Sequence, residues 1–173
     1  MIGEKKLHSI GIRVSTKRKE SKGKIFFAIS KIENQNFSLI RTTNIIIPNS
    51  LEVPEQLAYI RTNLLAVIKE YNVKFAGLRV AEGSANTQIP YRKNIEGVIQ
   101  ELFANSEIEA YDLLLINKFA RVFSESASEI KSYINGEANF AGIEEEEWKS
   151  YPKEIRESIL ASVSMLISWE GIA

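Results

Sequence analysis

The sequence predicts an α/β fold: a mixed five-stranded sheet, three antiparallel strands and then alternating helices and strands, flanked by helices. Two patterns predict it. Residues 8–47 form three alternating or apolar runs parted by short polar turns, whereas beyond Pro54 apolar residues recur at helical spacing between brief apolar runs. Pro48 separates the two regimes by ending the third strand-like run.

The first strand spans residues 8–15. Ile10, Ile12 and Val14 alternate with Ser9, Gly11, Arg13 and Ser15, so a charge sits in the middle of a core strand. Residues 17–23 make a polar turn, residues 24–32 a second strand with Ile25, Phe26, Phe27 and Ile29, and Glu33 to Asn36 another turn. Residues 37–47 make the third strand. Pro54 suits a first helical turn, and Leu57, Ile60, Leu64, Leu65, Ile68 and Tyr71 share one helical face. Residues 73–81 read as a strand parallel to the first, and residues 85–88 as a polar loop. A second helix begins near Tyr91 with Ile95, Val98, Ile99, Leu102 and Phe103 inward. Residues 107–112 are expected as a fifth strand and residues 113–122 as a short helix. Residues 124–150 are the least patterned part, with one helix expected over 128–133. The last helix runs from Pro152 to about Trp169. Ile155, Ile159, Val163 and Leu166 line one side, while Ser158, Ala161 and Ser164 let another lie close to a sheet.

Composition narrows the function classes. With 173 residues the chain reads as one domain, residues 1–173. No cysteine is present, which removes disulfides and thiolate metal sites and fits a reducing cytoplasm. Lys+Arg 22 balance Asp+Glu 22, so the chain as a whole is no polyanion sponge, although its beginning is basic and Glu144 to Glu147 are acidic. No apolar run approaches the ~20 residues of a membrane span. Walker-type loops, Rossmann glycines and nucleophile elbows are also missing, and Gly77 and Gly97 read as packing glycines.

Several short motifs carry a resemblance. Ile10-Gly11-Ile12 before a charged strand position resembles the Ile-Gly-Ile-Asp opening of RuvC-type Holliday junction resolvases, which have the ribonuclease-H-like fold. Val73 to Arg79 resembles their fourth strand, Asn94-Ile95-Glu96-Gly97-Val98-Ile99 the start of their next helix, and Glu154-x-x-Glu157 the acidic pair opening their last helix. Only residues 124–150 fall outside, as a variable insertion before the last helix. The resemblance implies a site of four carboxylates holding two magnesium ions at the scissile phosphate, because hard cations must bridge attacking and leaving oxygens. Here Arg13 stands at the first strand position, and the fourth-strand position falls on Leu78 or, more naturally by alternation with Phe75 and Gly77, on Arg79. At ~4 Å and an effective dielectric of ~20, a guanidinium facing a divalent cation costs about 8 kcal/mol before relaxation. The resemblance therefore argues for the fold and against the reaction.

Arg13 and Arg79 should face the same side of neighbouring strands. There they either pair with Glu154 and Glu157 or offer their forks to a phosphate. Lys17, Arg18, Lys19, Lys22 and Lys24 form a basic hairpin tip able to grip a nucleic-acid backbone, and Arg92 and Lys93 open the second helix, where an anion is favoured. The acidic run before Trp148 reads as a solvated face, a dock for a basic partner or a cover over the cleft. His8 reads as structural, since one histidine without cysteine builds neither a triad nor a metal site. The leading expectation is a catalytically degenerate domain, a pseudonuclease. It would bind nucleic acid or assemble in a cytoplasmic DNA-processing or defence system, as a homodimer or in a larger complex, without a cofactor. One alternative is a Mg²⁺- or Mn²⁺-dependent nuclease with relocated ligands Glu82, Glu96, Glu154 and Glu157, the last two catalytic. Another is a protein-interaction subunit that never touches nucleic acid.

Overall fold

The computed structural model describes residues 6–16, 23–83 and 90–170. Strand β1 (Leu7–Ser15) pairs antiparallel with β2 (Lys24–Glu33), and β2 with β3 (Asn36–Ile46). Asn34 and Gln35 turn the β2–β3 hairpin at φ 52° and 66°, the paired positive φ of a two-residue turn that matches strand twist. Helix α1 (Val53–Glu70) leads to β4 (Phe75–Arg79), which is parallel to β1 with Gly11 opposite Gly77 and Arg13 opposite Arg79. Helix α2 (Pro90–Ala104) leads to β5 (Ala110–Leu114), parallel to β4. The sheet order is β3-β2-β1-β4-β5. Four more helices follow: α3 (Ile116–Phe123), α4 (Ala127–Asn135), α5 (Glu145–Ser150) and α6 (Lys153–Glu170). The five strands and their mixed pairing are those expected from the sequence.

Strand alternation sends two sets of side chains to two cores. Ile10, Ile12, Val14, Ile25, Phe27 and Leu78 meet Ile60 and Leu64 of α1 and Ile95, Ile99 and Phe103 of α2. On the other face α6 lies directly on the strands. A Cβ built on Gly11 would stand 1.9 Å from the Ser158 carbonyl oxygen and 2.4 Å from the Ser162 nitrogen; one on Gly77 would stand 2.9 Å from the Ala161 carbonyl oxygen. Ser9 Oγ donates to the Ser162 carbonyl at 2.7 Å, and the Ser30 and Ser162 hydroxyls meet at 2.6 Å. Such closeness requires small residues on both partners. Ser158 and Ala161 supply it as expected, but the third is Ser162, one turn beyond Ser158, while Ser164 Oγ bonds back to the Ala161 carbonyl. Helix α6 is buried continuously from residue 155 to 166, because α3, α4 and α5 cover its outer side with Phe119, Ile130, Ile134 and Trp148.

Four sequence expectations shift. The fifth strand begins at Ala110 rather than 107, and α3 at Ile116 rather than 113. As an edge strand with Tyr111 and Leu113 exposed, β5 carries little apolar alternation to mark its start. Residues 124–150 contain two helices packed on α6. Ser126 and Glu129 form a reciprocal capping box at the start of α4, Gly136 closes it at φ 75°, and the fully buried Trp148 donates Nε1 to the Tyr133 carbonyl at 3.0 Å. Arg156 ties the ends of these helices to α6, donating Nε to the Ile134 carbonyl at 2.8 Å. Gly97 is not a packing glycine: nothing lies within 4 Å of a Cβ placed there. Gly97→Ala should therefore stabilise the fold by roughly 0.5–1 kcal/mol, seen as a higher urea midpoint with an unchanged slope, because alanine loses less backbone entropy in a helix. A lower midpoint would mean that this face of α2 is covered in solution.

Candidate functional site

At the carboxyl ends of β1 and β4, on the face covered by α6, two arginines meet one glutamate. Parallel pairing puts Arg13 beside Arg79, and strand parity turns both toward α6. The phase of α6, fixed by its seat on Gly11 and Gly77, presents Glu157 to them. Arg13 Nε lies 2.7 Å from Glu157 Oε2, and Arg79 Nε lies 3.4 Å from Oε1. Glu157 is only 2% exposed and Arg79 4%, whereas Arg13 keeps 15% of its side chain in contact with solvent.

The rest of the network fixes Arg79 more firmly than Arg13. Arg79 Nη1 donates to the Val80 carbonyl at 2.6 Å, Glu82 Oε1 at 2.7 Å and the Leu114 carbonyl at 3.3 Å. Glu82 Oε1 also accepts from the Ile116 nitrogen at 3.0 Å, so it holds the first turn of α3 and Arg79 together. Arg13 Nη1 donates to the Arg79 carbonyl at 3.2 Å. Arg92, in the first turn of α2, pairs through Nε with Glu96 Oε1 at 2.8 Å. Burial pushes the Arg13 guanidinium down to about 10 against the pull of Glu157, while Arg92 and Arg79 add to the fall and Glu96 opposes it. Arg13 is thus still a cation at neutral pH.

The structure gathers Arg13, Arg79, Arg92, Glu82, Glu96 and Glu157 around one rim and leaves other candidates out. Glu154 does not join the arginines; its carbonyl accepts the Ser158 hydroxyl at 2.8 Å. Lys93 is exposed on the first turn of α2. Lys17 and Arg18 fall outside the described residues, as does most of the basic hairpin tip. Glu144 to Glu147 are exposed, while Trp148 beneath them belongs to the core. His8 lies at the opposite end of β1, its pKa lowered by burial and by Lys31 and Lys6. Thr16, just past β1, was not a candidate from sequence; only its position one residue beyond the strand, near Arg13, hinted at it.

The donor set does not fit a pair of divalent cations. Glu157 is claimed by two guanidiniums, Glu82 by Arg79 and a helix nitrogen, and Glu96 by Arg92. Among the described residues no three acidic or histidine side chains converge to hold a metal ion. The relocated set of Glu82, Glu96, Glu154 and Glu157 is thus not assembled, because three of its members are paired with different arginines and the fourth faces elsewhere.

Sheet order, crossovers and the last helix lying on β1 define a ribonuclease-H-like fold. Thermus thermophilus RuvC has it: the two structures align over 95% of this chain and 96% of that one, with a TM-score of 0.67 and 8% sequence identity. The same organism's RuvC in complex with a Holliday junction substrate aligns over 96% and 97%, with a TM-score of 0.66 and 8% identity. Fowlpox virus resolvase, solved with Holliday junction DNA, aligns over 92% and 99% at a TM-score of 0.46 and 13% identity. No protein-family model and no curated protein sequence matches the chain. Among the described residues no helix is long and apolar enough to cross a membrane.

Proposed function

We propose that this protein is a catalytically degenerate resolvase-like domain that binds the nucleic-acid backbone without a metal ion. It would serve as a cytoplasmic subunit of a DNA-processing or defence assembly, self-associating as a homodimer. The observation that carries the reading is the Arg13–Glu157–Arg79 bridge. Guanidiniums occupy the strand positions where the resolvase chemistry needs carboxylates; they engage Glu157, a carboxylate that a metal ion would need, and their planar forks suit a phosphate. The likeness to a RuvC solved with a Holliday junction supports nucleic acid as the partner.

The test is association with four-way-junction and linear DNA, measured in EDTA and then in Mg²⁺ or Mn²⁺. Binding should survive EDTA, fall steeply with salt, and give no cleavage in either metal. Arg13→Ala should weaken it several-fold, because Arg13 is the member of the pair that reaches solvent. Arg79→Ala should chiefly lower stability, since Arg79 is buried among carbonyls. Metal-dependent cleavage lost in Glu157→Ala would replace this reading with a nuclease. Failure to bind at low salt would leave an interaction subunit.

A further inference from the structure

Among the described residues, three buried side-chain polar atoms have no hydrogen-bond partner: Thr16 Oγ1, Arg79 Nε and Arg92 Nη2. Buried polar groups are nearly always paired, so each such atom calls for a reason. Arg79 Nε faces Glu157 Oε1 at 3.4 Å, an ion pair without hydrogen-bond alignment, so the atoms left without an acceptor are Thr16 Oγ1 and Arg92 Nη2, both at this end of the sheet. Thr16 directly follows Ser15, the last residue of β1, whose cross-strand partner is Lys24. A Cβ on neighbouring Gly23 would lie 3.7 Å from the Tyr91 ring, so the first turn of α2 packs against this end of the β1–β2 pair. Arg79 closes β4 beside Arg13, and Arg13 is within electrostatic reach of both Arg79 and Arg92.

The chemistry of these atoms restricts what is missing. A guanidinium nitrogen can only donate, and a threonine hydroxyl can donate, so an acceptor is required. Carboxylates already occupy other nitrogens of the same guanidiniums, Glu96 on Arg92 and Glu82 on Arg79. The two donors left over come from separate segments, the residue after β1 and the first turn of α2, and two oxygens of one tetrahedral oxyanion can bridge such a pair.

We infer that a phosphate group of a nucleic-acid backbone completes this rim, accepting from Arg92 and Thr16, with Arg13 as its solvent-side cation and Arg79 fixed behind. The inference rests on the nucleic-acid reading above and names the residues that touch the ligand. Arg92 and Thr16 become binding residues, and Glu157 a positioning residue that holds both strand arginines. Three guanidiniums here face three carboxylates, Glu82, Glu96 and Glu157, so the rim offers a lone phosphate little net attraction. A phosphate delivered by a polymer that is held elsewhere as well does not depend on that attraction.

The test is fluorescence anisotropy of a fluorescein-labelled single-stranded oligonucleotide, at low salt in EDTA, with Arg92→Gln, Thr16→Val and, as a control away from the rim, Arg61→Gln. Arg92→Gln should weaken binding about tenfold and flatten the plot of log affinity against log salt by ~0.7, the share of one phosphate contact on a single strand. Thr16→Val should weaken it about threefold with the slope unchanged, as loss of a neutral hydrogen bond does. Arg61→Gln should match the wild type, and millimolar inorganic phosphate should not displace the oligonucleotide. Thermal unfolding of each variant separates lost binding from lost folding. If the wild type binds and both rim variants bind equally well, the site assignment falls while the functional reading stands. If the wild type binds neither this oligonucleotide nor four-way-junction or linear DNA, both fall. Displacement by millimolar phosphate would overturn the polymer backbone in favour of a small anion.

Discussion

Gly11→Ala is expected to cost about 4 kcal/mol or more, a large part of the ~5–15 kcal/mol that holds a domain folded. The added methyl would lie 1.9 Å from the Ser158 oxygen and 2.4 Å from the Ser162 nitrogen. Overpacking usually costs about 1–3 kcal/mol when side chains can yield. Here the obstacle is the backbone of α6, which can only retreat as a unit. Retreat would stretch the Ser9–Ser162, Ser30–Ser162 and Ser158–Phe26 hydrogen bonds and open a void across the buried face of the sheet. Urea unfolding should show a far lower midpoint, or no cooperative transition. A midpoint within ~1 kcal/mol of wild type would mean that α6 does not rest on β1 at this distance. The contrast with Gly97→Ala is instructive, since the same substitution is expected to act with opposite sign on two glycines of one chain.

Glu157→Gln is expected to destabilise by about 3–5 kcal/mol, the usual result of removing one member of a buried ion pair. The loss should fall at the lower end of that range, because Arg79 keeps the Val80 and Leu114 carbonyls and Glu82. Arg13 loses its one carboxylate partner and stays mostly buried. A double-mutant cycle with Arg13→Gln isolates the pair: the combined variant should be more stable than the sum of the two losses implies, by roughly 1–3 kcal/mol. Additive losses would mean that the two side chains do not touch in solution. The bridge need not have been selected for stability, since a buried ion pair is often no better than an apolar replacement of equal size. Its expense in desolvation is easier to understand if Arg13 and Arg79 are wanted at that rim as cations.

Much of this was readable in the residues. The alternation of Ile10, Ile12 and Val14 with Ser9, Gly11 and Arg13 fixed which face each residue takes, because strand parity is a local property. Parity also placed Arg13 and Arg79 together once β4 was taken as parallel to β1. Less local features were poorly legible. The edge strand β5 lacks a strong period because one of its faces is partly exposed. Helices α4 and α5 are short, so few apolar positions recur, although the Ser126-x-x-Glu129 box was a visible start signal. Gly97 looked like Gly77 in sequence, and only its surroundings distinguish them.

By itself the sequence determined the order of elements, the faces of the strands and the presence of an arginine on each of two core strands. Each of these depends on local pattern. Tertiary structure alone decided that Glu157 and not Glu154 bridges the arginines, and that Glu82 is held by Arg79 and the start of α3. It also decided that the unpaired donors of Thr16 and Arg92 lie at the same end of the sheet. The physical reason is the docking of α6. Residues three apart on a helix differ by about 60° in direction, so the rotation at which α6 settles onto Gly11 and Gly77 selects which glutamate meets the sheet. No local period in the sequence encodes that rotation.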